Sequence, residues 1–146
     1  MYELVSPVNG AGILKYLGLI MIGIGAVMAV PLVVALFFSE WFIAGIYGVI
    51  ATLIITLGTL ISRLLPEYEL QWKDAMVIAA IIFPLSSLLS AIPFSLSTGM
   101  PFLDAFFEAA SGLTTTGLSV APADVGPVFL FARSWLQWIG GIGIVL

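Results

Sequence analysis

The chain has 146 residues, 62% of them hydrophobic, with four Lys or Arg against eight Asp or Glu, a net charge of −4 and a mean hydropathy of +1.23. Soluble domains carry about 25% charged residues. At 8% this chain has too few to cover the large relative surface of a small domain, and its 12% aromatic content excludes disorder. The composition is that of an integral membrane protein with the lipid bilayer as its solvent.

Absent residues narrow the chemistry. Without Cys or His there are no disulfides, no thiolate nucleophile and no imidazole base or metal ligand. Four scattered basic residues do not make a phosphate-tracking patch, so nucleic acid is not an expected partner.

In chain order, the first span is expected over Tyr16–Phe38 and the second over Trp41–Ser62, each uncharged and long enough to cross about 30 Å of hydrocarbon. The first is too long for the core of a cleavable signal and is scarcely preceded by basic residues, so it reads as a retained helix. A third uncharged run, Ala75–Leu103, is interrupted by Pro84, Pro93, Gly99 and Pro101. Its spanning part is expected over Ala75–Ser95, kinked at Pro84, before a Ser-Leu-Ser-Thr-Gly-Met-Pro turn. A fourth span, Gly126–Leu146, contains Arg133.

Basic residues set the orientation. Lys15 precedes the first span, and Arg63 and Lys73 lie between the second and third, whereas the Ser39-Glu40 link and the 97–125 connection have none. The N-terminus and the 63–74 loop are therefore assigned to the cytoplasm. Small residues within the spans, Gly18, Gly23, Gly25, Ala44, Gly48, Gly140, Gly141 and Gly143, read as close helix packing. Gly140-Gly141-Ile142-Gly143 is no phosphate loop, because it lacks the lysine and sits inside a span.

The 97–125 connection carries the chemistry. Pro101 suits a first helical position and Asp104 the positive end of a helix. Phe102–Ser111 then reads as a helix of roughly 15 Å, about half a membrane, ended at Gly112. The Thr114-Thr115-Thr116-Gly117-Leu118-Ser119 run that follows fits neither a spanning helix nor a charged loop. Non-helical backbone at membrane depth is tolerated where protein or water satisfies it, and ringed carbonyls there can replace the water shell of potassium. Gly117 permits backbone conformations closed to other residues, and Asp104 and Glu108 make the entrance acidic. Taken alone, the Thr/Gly segment also fits an ordinary polar loop. The carboxylate pair at 104 and 108 is the one acid–base candidate, and an entrance charge is the better account of it, so no enzyme is expected.

The stretch Asp104-Ala-Phe-Phe-Glu-Ala-Ala-Ser-Gly-Leu-Thr-Thr-Thr-Gly-Leu-Ser119 resembles the first pore loop of the Trk/Ktr/HKT potassium transporter superfamily. Arg133-Ser-Trp-Leu-Gln-Trp-Ile-Gly-Gly-Ile-Gly143 resembles the helix that follows it in bacterial and archaeal members. Two helices ahead of the pore unit are similar to the TrkH branch. The resemblance implies an all-α membrane fold: a two-helix hairpin over 1–72, then one helix–pore loop–helix repeat over 73–146, cut short in its last helix. It implies potassium binding at a filter of Thr114, Thr115, Thr116, Gly117 and Leu118, with Arg133 and Gln137 as polar residues of the second pore-lining helix. It also implies potassium as transported substrate with no cofactor, a homodimer of the full-length protein, a cytoplasmic nucleotide-binding regulatory subunit, and residence in the plasma membrane. Family members hold four such repeats, so the chain reads as the N-terminal part of a longer subunit. A self-contained pore subunit of a homotetrameric channel and a nonconducting membrane scaffold are the alternatives.

Overall fold

The computed structural model describes residues 9–145, with the side chains of 144 and 145 left out. Five helices follow in chain order: α1 Gly10–Phe37, α2 Trp41–Leu64, α3 Trp72–Thr98, α4 Phe102–Leu113 and α5 Pro127–Val145. No strand occurs among the described residues. Helices α1, α2 and α3 are long and apolar enough to cross a membrane. With α5, 19 residues long and carrying Arg133, Ser134 and Gln137, they form the all-α membrane architecture expected. Exposed Phe37, Trp41, Phe42, Leu53, Leu60 and Met76 suit a lipid-facing exterior.

Several boundaries shift from the sequence reading. Helix α1 begins at Gly10, capped by the Asn9 side chain, which accepts from the Ala11 and Gly12 amides at 3.1 and 3.2 Å. Lys15 thus lies within the helix rather than before it, because an Asn cap satisfies the first orphan donors. Arg63 sits in the last turn of α2, where a cation meets the negative helix end. Helix α3 starts early at a capping box between Gln71 and Asp74 and runs through Pro84 and Pro93 to an αL cap at Gly99 (φ 73°), so Ser95–Thr98 is helical rather than part of the turn. The expected end of the last span at Leu146 falls outside the described residues.

Helices α1 and α2 form an antiparallel hairpin across the Ser39-Glu40 link, and the small residues set its spacing. A Cβ built on Gly58 would lie 2.5 Å from the Gly18 carbonyl oxygen, and one on Gly25 2.5 Å from Ile55 Cγ1. Gly18 and Gly25 therefore serve close packing as expected, joined by Gly58, which the sequence reading passed over. Gly23 and Gly143 do not, since a Cβ on either meets nothing within 4 Å. The hairpin meets the rest of the chain through a core of Met28, Ala35, Tyr47, Phe94 and Phe129, among others, with Phe94 and Phe129 edge-to-face at 4.9 Å.

One hydrogen bond ties the hairpin to α5. Pro31 lies inside α1 and has no N–H, so the Val27 carbonyl loses its helical donor. The Trp135 indole N–H of α5 donates to that carbonyl at 3.0 Å. A proline that would otherwise leave an unsatisfied carbonyl in lipid becomes an attachment point between two helices.

Candidate functional site

Helix α4 is a separate helix of 12 residues, about 18 Å long, and not a continuation of α3. Pro101 is its N-cap rather than its first helical residue: its backbone is extended (ψ 143°) and its carbonyl accepts from the Ala105 amide at 3.0 Å. Asp104 lies in the first turn, exposed as expected. The buried residues are Ala105, Glu108, Ala109, Ser111, Gly112 and Leu113, small except for the glutamate and the terminal leucine, so that α3 and α5 pack closely against the helix.

The C-terminal end of α4 is held against α5. A Cβ on Gly140 would collide with the Leu113 carbonyl, so the helix end reaches α5 only because residue 140 is glycine. Gly140→Ala is expected to destabilise the protein by about 1–3 kcal/mol, the usual range for overpacking, because a backbone carbonyl cannot turn aside as a flexible side chain can. A thermal melt of the purified variant matching the parent would contradict this contact.

Beyond Leu113 the chain leaves the helix. Thr114 caps it, donating its amide and its Oγ1 to the Ala110 carbonyl at 2.9 and 2.7 Å. Thr114 and Thr116 share a hydroxyl–hydroxyl hydrogen bond of 2.8 Å. Thr115 has φ 59° and Gly117 φ 80°, two left-handed residues that turn the backbone sharply. Gly117 meets no atom within 4 Å of a built Cβ, so the backbone conformation itself, and not a neighbouring wall of this chain, favours glycine. Thr114–Ser119 is exposed throughout. The carbonyls of Thr115, Thr116 and Gly117 accept no hydrogen bond from another described residue.

The returning segment after the turn is anchored by one carboxylate. Glu108 is fully buried. Its Oε1 accepts from the Ser119 hydroxyl at 2.7 Å and from the amides of Val120 and Ala121, the latter at 2.9 Å. Its Oε2 accepts from Arg133 Nε of α5 at 2.6 Å. Charge-assisted bonds of this kind are about twice as strong as neutral ones, and here they converge on a carboxylate removed from water. Glu108 is thus not the open entrance acid expected from sequence. Its charge is matched by Arg133 and its oxygens are occupied.

Leu118 also differs from expectation. Its carbonyl accepts from the Ser111 hydroxyl at 2.6 Å and from an Arg133 terminal nitrogen at 2.8 Å. With both lone pairs taken up by protein donors, that oxygen is not free to replace water around a cation. Within Thr114–Leu118 the run of free backbone oxygens ends at Gly117. Gln137, one turn beyond Arg133 on α5, is half-buried and has no part in this network. No group of three or more His, Cys, Asp or Glu able to hold a metal occurs among the described residues.

Arg133 answers a question the sequence left open, since its partner could have been Asp124, Glu108 or a segment outside the chain. Arginine in a membrane helix is costly unless paired. The pairing with Glu108 places a cation and an anion from consecutive helices behind a backbone turn whose outer oxygens are free. Such a turn can present carbonyl oxygen to a desolvated cation while the amides of Thr114, Thr115 and Gly117 are held by the Ala110, Gly112 and Ser111 carbonyls.

Comparison with known proteins identifies the family. Residues 44–146 match the TrkH family, described as cation transport proteins. The chain is 37% identical over 144 residues to the Trk system potassium uptake protein TrkH of Halomonas elongata, covering 92% of this chain and 29% of that protein. It is 34% identical over 143 residues to an uncharacterized cation transporter of Methanocaldococcus jannaschii, with the same coverage. It is 31% identical over 127 residues to the Trk system potassium uptake protein TrkG of Escherichia coli K12, covering 82% of this chain and 26% of that protein. The chain thus spans under a third of the length of these relatives. On the extent of the family match and these identities, the chain belongs to the TrkH family of cation transport proteins.

Proposed function

We propose that the chain contributes one pore-loop repeat to a membrane protein that takes up potassium, with the backbone oxygens of Thr114, Thr115, Thr116 and Gly117 serving as ion ligands. The observation that carries this reading is the turn at Thr115 and Gly117, left-handed at both residues and held from behind by Glu108 and Arg133. It follows a half-length helix whose C-terminal end bears partial negative charge. Carbonyls replace the hydration shell of potassium in such filters, and Asp104 at the other end of α4 raises the local cation concentration. Two relatives named as potassium uptake proteins support the choice of ion.

The reading extends to the assembly. The 1–72 hairpin is one unit and 73–146 a helix–loop–helix repeat. The full-length protein works as a plasma-membrane homodimer with a cytoplasmic nucleotide-binding regulator, and Gln137 lines the conduction path below Arg133. The full-length protein is expected to restore growth on limiting potassium to a strain lacking its own potassium uptake. Failure at normal membrane levels of the protein would remove the reading.

In the same reading the N-terminus and the 65–71 loop face the cytoplasm. Single cysteines at Glu69 and Asp124, both exposed, provide the test in a Cys-free full-length background. An impermeant thiol reagent added outside intact cells should label Asp124→Cys and spare Glu69→Cys. The reverse pattern would invert the topology.

A further inference from the structure

Two hydroxyls in the interior have no hydrogen-bond partner. Tyr47 on α2 is 2% exposed and Ser90 on α3 is 3% exposed, and neither Tyr47 Oη nor Ser90 Oγ meets a donor or acceptor. Ser87, three residues before Ser90 on α3, donates its hydroxyl to the Phe83 carbonyl at 2.8 Å, the usual way a helical serine satisfies itself. Ser90 does not do so. Unpaired polar groups are costly in any apolar interior, and the bilayer offers no nearby bulk water.

Both residues line one small cavity between α1, α2, α3 and α5, together with Pro31, Pro93, Phe94 and Trp135. Its room for the centre of a water molecule is about 10 Å³, close to the roughly 10–15 Å³ that one water requires. A third polar group is freed one turn before Pro93, which lines this cavity. Pro93 lies inside α3 and deprives the Leu89 carbonyl of its helical donor. The Val27 carbonyl, freed in the same way by Pro31, is already bonded by Trp135. Buried water typically makes two to four hydrogen bonds to groups otherwise unsatisfied; Tyr47 Oη and Ser90 Oγ are two such groups at the cavity, and the Leu89 carbonyl, lacking its helical donor, is the acceptor nearest to them in sequence.

We infer that this cavity is a hydration site holding one ordered water, which bridges Tyr47 of the N-terminal hairpin to Ser90 and the Leu89 carbonyl of α3. The water completes with hydrogen bonds what Trp135 begins: it joins the hairpin to the helices that flank α4. The Val27 and Leu89 carbonyls, each freed by a proline, are satisfied by different means, one by an indole and one by solvent trapped during folding. The site goes beyond the transport reading, since it stands whether or not the protein conducts potassium.

The test is a density map of the full-length protein at a resolution that shows ordered solvent, combined with a double-mutant cycle. A peak within hydrogen-bonding distance of both Tyr47 Oη and Ser90 Oγ is expected. Tyr47→Phe and Ser90→Ala should each lower the thermal midpoint by about 2–4 °C, and the double variant should fall clearly short of the sum, because both hydroxyls hold the same molecule. A map with no peak between them, or with the two hydroxyls bonded directly to each other, overturns the inference. So does strict additivity of the two substitutions.

Discussion

Replacing Arg133 with Met in the full-length protein is expected to lower stability by about 3–5 kcal/mol, the usual cost of leaving one partner of a buried ion pair uncompensated, and to abolish uptake. The geometry gives the reason. Glu108 is fully buried and Arg133 is 16% exposed in its side chain, and the two are joined at 2.6 Å. Arg133 also holds the Leu118 carbonyl. Its loss would strand a carboxylate in the apolar interior and release the returning segment beside the turn at Gly117. Adding Glu108→Gln to Arg133→Met should recover much of the lost stability. The amide oxygen of glutamine still accepts from Ser119, Val120 and Ala121 while the unpaired charge disappears, and removing both partners of a pair costs far less than removing one. Uptake should stay low in the double variant, because Leu118 remains without its arginine donor. Thermal melts of the two variants beside the parent provide the comparison. A double variant no more stable than Arg133→Met would show that charge pairing is not what Arg133 contributes.

Much of the fold is legible in sequence, for reasons that differ by element. The spans follow from uncharged length, and α4 from a proline before it, a glycine near its end and too few residues to cross. The left-handed backbone at Gly117 follows from the one residue in Thr114–Ser119 without a side chain. Long-range pairings are a different matter. Arg133 and Glu108 are 25 residues apart, and their meeting depends on how tightly the 114–126 segment returns. Glu108 therefore looked like an entrance charge, four residues from Asp104 on one helix, when the turn brings Arg133 onto it.

The bonding of the Leu118 carbonyl is hidden from the sequence for a related cause. Continuity of the segment suggests that its carbonyl joins the row before it, yet Ser111 and Arg133 both capture that oxygen. The Trp135–Val27 bond joins residues 108 apart and left only a partial signal: a proline inside a span frees an acceptor, and a buried indole needs one. Gly58 could have been found by pairing small residues across the hairpin, since it faces Gly18 in an antiparallel register. The basic residues Lys15 and Arg63 lie inside helix ends, where caps and the helix dipole, not hydropathy, decide the boundary.

The central claim is that the backbone around Gly117 selects potassium. Gly117→Ser adds a Cβ at φ 80°, where a left-handed conformation costs an ordinary residue roughly 1–2 kcal/mol. Among the described residues, the two chain neighbours apart, no atom lies within 4 Å of that Cβ, so the substitution leaves the packing of α4 and the Glu108–Arg133 pair in place. The strain falls on the turn that presents the free carbonyls. Potassium and sodium differ in the hydration each must shed, so a small change in carbonyl placement should weaken the distinction between them. Thr114→Ser keeps the hydroxyl that bonds Ala110 and Thr116 and should be close to neutral. The decisive measurement is rubidium and sodium uptake by the full-length Gly117→Ser protein at matched membrane levels. A fall in rubidium uptake relative to sodium, with the thermal midpoint lowered by no more than the few degrees that this strain costs, is the predicted result; an unaltered ratio would mean that Thr114–Gly117 is a surface loop and that the ion passes elsewhere.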